Sequence, residues 1–188
     1  MPLHTIPPEI HRDSRILILG SFPSVKSREY GFYYAHPQNR FWPLLGRLFG
    51  RDLMTIEDKK LFLKEEHIAL SDVILSCSIE GSSDSSITEV VPNDIATLIK
   101  DTEVSHVFLN GGKAAELFRK HNALPSSLGV TKLPSTSPAN ASWSFERLLG
   151  AWSVVRDALG ASLNHNLSNH DLSNLNLTNL GYTTIFSA

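Results

Sequence analysis

One cysteine, Cys77, stands in the whole chain of 188 residues. A lone thiol excludes an internal disulfide and a four-cysteine iron–sulfur cluster, and it fits a reducing compartment. Long apolar runs are missing too. No stretch approaches the roughly 20 residues of a membrane-spanning helix, and the N-terminus lacks a charged-then-apolar signal pattern, so a soluble, cytoplasmic protein is expected. The eight histidines are scattered without ligand spacing, which leaves no metal site to propose. Walker phosphate loops, dinucleotide fingerprints and Gly-x-Ser-x-Gly turns are absent, Gly111-Gly112-Lys113 being too short to count, so no cofactor is expected.

Excess charge of one sign is lacking as well. A net charge of -2 argues against a strongly electrostatic nucleic-acid binder. Its distribution is uneven, however. Residues 1–51 carry seven Lys/Arg against three Asp/Glu (+4), residues 52–110 four against twelve (-8), and residues 111–188 six against four (+2). Such segregation is compatible with one face meeting phosphate, and equally with an ordinary solvated surface.

What is present is enough apolar sequence, 41%, for one domain with a real core. Residues 1–14, with Pro2, Pro7 and Pro8, read as an irregular lead-in covering a sheet edge. Apolar runs at 16–19, 68–75, 104–109 and 130–133 predict four strands buried on both faces. Helical spacing predicts helices from Phe41 to Gly50, from a Thr55 cap to about His67, from an Asn93 cap through Ile99, from Lys113 to His121, and from Ser142 or Ser144 to Leu159. Strands alternating with helices predict a three-layer α/β/α fold around a four-stranded parallel sheet.

Two long connections interrupt this pattern. Residues 21–39 follow the first strand and carry three tyrosines and a His-Pro-x-Asn turn; Cys77 to Val91 follow the second and are rich in serine. Loops of that length in a compact domain are usually functional. Ligands of open parallel sheets bind at the carboxyl ends of the strands. The two long loops, Asn110-Gly111 after the third strand and Pro134 to Ser137 after the fourth all lie there, so the pattern alone points to a single site.

The residues at these four places also carry a resemblance. Gly20-Ser21-Phe22-Pro23-Ser24, Ser27 and Tyr33-Tyr34-Ala35-His36-Pro37-x-Asn39-x-Phe41-Trp42 resemble the first motif of the hypoxanthine-DNA glycosylase branch of the uracil-DNA glycosylase superfamily. Ala69 to Ile74 with Gly81 to Ile87, Phe108 to Gly111, and Leu133 to Ala139 agree with it in order, over roughly residues 15 to 159. The resemblance implies a monofunctional glycosylase that releases a deaminated base, foremost hypoxanthine, from DNA in base excision repair, with DNA as partner and the chain acting as a monomer. A uracil- or mismatch-specific glycosylase, and an inactive nucleic-acid-binding module of the same fold, stand as alternatives.

In most of the superfamily an Asp or Asn two residues after the first-motif glycine aligns the attacking water. Phe22 holds that place here, and the resembling branch supplies the role from the residue matching Asn39. An amide can orient water through its carbonyl; by spacing alone, Asn39 is also a helix cap. Phe22 and Tyr34 offer flat faces for a flipped base, and His36 a donor to a base oxygen or phosphate. Asp72 and Asn110 lead the candidates for reading the base edge, ahead of Ser76, Cys77, Asp84 and Ser85, which the same loops hold. Ser24, Lys26, Ser27, Ser135, Thr136 and Ser137 are candidate phosphate contacts, with Arg28 assisting. The superfamily's histidine in the fourth motif is replaced by Leu133, which cannot stabilise an anionic leaving base and shifts the expectation toward a purine.

Residues 161–188 differ in kind. Asn166 to Asn169, Asp171 to Asn174 and Asn176 to Asn179 repeat at five-residue spacing but depart from the pentapeptide-repeat pattern, so a low-complexity extension to a glycosylase domain of residues 1–160 is expected.

Overall fold

The computed structural model describes residues 6–80 and 86–160 fully and the backbone of 161–175. Its elements are β1 (Ile16–Gly20), α1 (Val25–Tyr30), α2 (Phe41–Phe49), α3 (Ile56–Glu65), β2 (Ile68–Asp72), β3 (Ile74–Ser78), β4 (Thr88–Pro92), α4 (Ile95–Ile99), β5 (His106–Asn110), α5 (Gly112–His121), β6 (Gly129–Leu133) and α6 (Phe145–Leu175). The central sheet has the order β2-β1-β5-β6, and every pairing in it is parallel.

Alternation along β1 divides the core. Ile16 and Ile18 face one apolar layer with residues of α2, α3 and α6, while Leu17 and Leu19 face another with residues of α4 and α5. An all-parallel sheet buried in this way reads as a continuous apolar run, and all five residues of β1 and of β2 are buried. The lead-in does protect the edge strand: Glu9 bridges Leu70 with backbone hydrogen bonds of 3.0 and 2.8 Å, which leaves fewer open groups on β2.

The expected second strand is broken at its middle. Val73 N–H still donates to the Gly20 carbonyl at 2.9 Å, but Ile74 N–H donates to that of Ser21 at 3.2 Å, so the chain loses the regular two-residue spacing of the ladder beside β1. It then enters an antiparallel pair, β3 with β4, which the serine-rich composition had disguised as a loop. The first long connection likewise contains α1, six residues with Ser24 as cap and Gly31, at φ 65°, closing it. A helix so short and polar leaves no apolar period to detect. The remaining differences are at ends: Asp94, not Asn93, caps α4. Thr55 with Asp58 forms the expected capping box of α3, and Ser144 accepts the Arg147 N–H at 3.3 Å at the start of α6.

α6 continues as helix across the expected boundary at residue 160. The side chains of the extension, all of 176–188, and Asp84 and Ser85 lie outside the described residues. None of the described helices is long and apolar enough to cross a membrane.

Candidate active site

Parallel register brings the strand ends level. Gly20 pairs with Asp72 and Asn110 with Leu133. A cavity of about 90 Å³ opens at that level, and it gathers Phe22, Ser24, Ser27, Tyr34, Asn39, Asp72, Asn110, Ser135, Thr136 and Ser137 from four separate stretches. Ile79, an apolar wall residue from the hairpin, joins them unannounced by any motif. His36 and Lys26 are not among the lining residues. The His36 ring accepts the Gln38 N–H at 3.2 Å, a turn contact. Lys26 pairs with Glu29 at 2.7 Å on the surface, and that hydrogen bond raises its pKa. Ser76 and Cys77 lie in β3, with Cys77 fully buried in the core.

The floor of the cavity depends on a missing side chain. A Cβ on Gly20 would collide with the Asp72 carboxylate and stand 3.2 Å from the Tyr34 hydroxyl. Glycine therefore lets a carboxylate that is only 3% exposed reach across the end of β1. Burial, followed by the nearby Asp72 charge, pushes the Tyr33 hydroxyl well above the ordinary tyrosine range. Tyr33 thus remains a protonated donor, here toward the Ile6 carbonyl at 3.4 Å.

Each aromatic wall is backed on one face. The Arg28 guanidinium lies 5.4 Å from the centre of the Phe22 ring and donates to the Pro23 carbonyl at 2.9 Å. Tyr34 adopts a left-handed backbone, φ 54°, and its ring stacks on Phe41 at 3.9 Å. Backing of this kind holds a ring in place while its remaining surface meets the cavity.

Arg40 occupies the cap position of α2 without a side-chain capping bond, and Asn39, one position before it, lines the cavity. The Asn39 Oδ1 accepts the Phe41 N–H at 3.0 Å, which ties down one of the open donors at the start of α2. An amide oxygen has two lone pairs, so this bond fixes the orientation of the amide and leaves acceptor capacity at the cavity.

The fourth-motif loop is held from a distance. Asn110 and Thr136 clasp each other, Nδ2 donating to the Thr136 hydroxyl at 2.9 Å and Oδ1 accepting the Thr136 N–H at 3.0 Å. Thr136 is fully buried and Ser27 nearly so, 2% exposed; Ser27 accepts the Ala35 N–H at 3.2 Å. These two therefore hold the loops together rather than meeting solvent. Ser135 and Ser137 are half-exposed and accept the N–H groups of Ser137 and Ala139 at 3.2 and 3.3 Å, which leaves their hydroxyl hydrogens to donate outward.

Arg40 is the residue that sequence reasoning missed. Its guanidinium donates to the backbone carbonyls of Thr136 (3.3 Å), Ser137 (2.7 Å), Asn140 (3.1 Å) and Trp143. Trp152 Nε1 adds a bond to the Pro134 carbonyl at 3.0 Å. No local pattern signals partners 96 to 103 positions away. The positive first third also reads differently in three dimensions: Arg15 pairs with Glu103, Lys26 with Glu29 and Arg51 with Glu65, so charge counted along the chain is partly neutralised within the fold.

A site built from four loops at the carboxyl ends of a parallel sheet has counterparts. A solution NMR structure from Methanosarcina acetivorans, described as a candidate uracil DNA glycosylase, superposes with a TM-score of 0.70 at 35% identity, over 82% of this chain and 96% of that one. A Methanosarcina acetivorans protein named hypoxanthine DNA glycosylase is 38% identical over 146 residues, 75% of this chain and 90% of its own. A protein of the same name from Methanosarcina barkeri is 38% identical over 114 residues, 58% of this chain and 72% of its own. The model of the uracil DNA glycosylase superfamily matches residues 7–156, a span that runs from the strand-edge lead-in to the helix behind the fourth loop and so takes in every residue of the cavity. The chain belongs to the uracil-DNA glycosylase superfamily.

Proposed function

We propose that this glycosylase releases hypoxanthine from deoxyinosine in DNA, acting as a monomer and leaving an abasic site for base excision repair. The observation that carries this reading is the composition of the cavity: an oriented amide, Asn39, and a buried carboxylate, Asp72, share one small space walled by Phe22 and Tyr34. The names of the two curated relatives agree with it.

A target nucleotide must leave the stack to reach such a cavity. The base then lies against Phe22, and the Asp72 carboxylate, an acceptor, faces the N1–H that hypoxanthine carries; adenine presents a lone pair there and is disfavoured. Asn39 holds a water through the acceptor capacity its capping bond leaves free. The water oxygen bonds to C1′ as the C1′–N9 bond breaks, and the water proton balances the charge on the departing base. Leu133, buried at the end of β6, offers no cationic donor to that base, which favours a purine whose larger ring system spreads charge. Among the described residues no lysine lines the cavity, which favours a mechanism without an amine nucleophile at C1′.

Oligonucleotides bearing inosine, uracil or xanthosine, incubated with the protein and then treated with alkali, test the reading. Strand scission is expected chiefly for inosine and only after alkali. Scission without alkali would overturn the monofunctional assignment, and faster release of uracil would overturn the base assignment.

A further inference from the structure

The fourth-motif loop has a second concave side. Beyond Ser135 and Ser137, an open groove of about 610 Å³ runs between the end of β6, the start of α5 and the segment before α6. Trp143 is its aromatic member and Lys132 its cation; Asn140 adds an amide, and among the described residues no carboxylate lines it. The indole of Trp143 is half-buried and packs against the core formed by α2 and α6. The Arg147 guanidinium lies over the ring at 4.5 Å while donating to the Ser142 carbonyl at 2.9 Å. Lys132 is exposed at the edge of the sheet. Asn140 is fixed by a bond to the Ser135 carbonyl at 2.9 Å.

A rigid aromatic surface beside an exposed cation and half-exposed hydroxyls is the set that binds a stacked base with its phosphate. We propose that this groove receives the nucleotide next to the target on the same strand, with its base against Trp143 and the connecting phosphate between Lys132 and the hydroxyls of Ser135 and Ser137. Two observations select a nucleotide neighbour over other occupants. Ser135 and Ser137 line both the groove and the active-site cavity, so a strand whose base enters the cavity crosses this ridge of hydroxyls. Among the described residues the lining also carries a positive charge and no acid, which suits phosphate. The Arg40 clamp on the Ser137, Asn140 and Trp143 carbonyls fixes the ridge and the groove wall as one piece. The proposal rests on the reading of the chain as a glycosylase acting on DNA.

The test uses the full chain and oligonucleotides carrying a tetrahydrofuran abasic analogue, with 2-aminopurine placed one position to either side or across the duplex. Binding is expected to change the emission of a same-strand neighbour, and Trp143→Leu, which keeps apolar bulk without a flat face, to remove most of that change. Trp143→Phe should retain much of it. With inosine oligonucleotides, adding the neighbouring nucleotide to a strand that ends at the target should strengthen binding by about tenfold in the parent protein, the scale of one base–aromatic stack, and by much less in Trp143→Leu. Lys132→Gln should lower the salt dependence by about one phosphate contact. Equal gains in the parent and in a Trp143→Leu protein of unchanged melting temperature would overturn the proposal, as would a probe response confined to the opposite strand. Failure of the parent protein to release any deaminated base would instead break the functional reading, and the abasic probe would still report on the groove.

Discussion

The loops after β1 and after β6 both line one cavity and are held by different means. The first is organised locally. Ser24 caps α1 by accepting the Ser27 N–H at 3.1 Å, Gly31 ends that helix, and Tyr34 stacks on Phe41 only seven positions on. The loop after β6 contains no helix or strand between Leu133 and Phe145, and its shape is imposed by Arg40, Asn110 and Trp152. A loop of the first kind carries its instructions in adjacent residues; one of the second kind has a conformation only once the sheet and α2 are assembled. Arg40 is where they meet, since it follows Asn39 in sequence and grips the distant loop.

Five substitutions sharpen or break that contrast. Asn39→Ala and Asn39→Asp are both expected to slow single-turnover base release on inosine DNA by about 100-fold, the scale of a misplaced reactant, while affinity for abasic DNA is retained. Aspartate should keep the capping bond to Phe41, and alanine should cost about 0.5 to 2 kcal/mol in thermal melts. An alanine variant that melts lower yet excises at the parental rate would leave Asn39 as a cap alone.

Arg40→Ala withdraws the donor from four carbonyls at once and should cost about 1 to 3 kcal/mol, together with roughly tenfold weaker abasic-DNA binding because the remote loop loses its frame. Arg40→Lys should recover little, for an ammonium lacks the planar fork. Full recovery of binding by lysine would mean that charge and not loop geometry matters. Ser24→Ala, by contrast, removes a single local cap and should lower stability by only about 1 kcal/mol; a greater loss than that of Arg40→Ala would erase the distinction between the loops.

The smallest effect lies at the opposite end of the sheet. Burial holds the His106 imidazole below the ordinary histidine pKa, so the unfolded chain binds a proton more readily than the folded one. Stability from this group is present above pH ~6.5 and declines as pH falls toward the depressed value. The melting temperature should drop slightly between pH 7.5 and 5.5, and less so in His106→Gln; an unchanged slope in that variant would remove the assignment. Truncation after Gly160 should leave melting and base release near parental values if residues 161–188 are an extension to the glycosylase domain.

The amino-acid sequence by itself determined the parallel sheet, its helix layers and the position of the site, because continuous apolar runs and helical periods are local and the carboxyl-end location follows from strand order. It also singled out Asn39, Asp72 and Asn110, which stand at strand or helix ends and line the cavity. The β3–β4 pair escaped because serine and proline obscured its alternation, and α1 because six polar residues carry no period. Tertiary structure alone decided that Thr136 and Ser27 are buried ties, that His36 turns away from the lining, that Ile79 walls the cavity, and that Arg40 binds a loop nearly a hundred positions away. Those outcomes depend on which carbonyls and hydroxyls the assembled sheet brings within about 3 Å of one another, a property of approach in space that no spacing along the chain encodes.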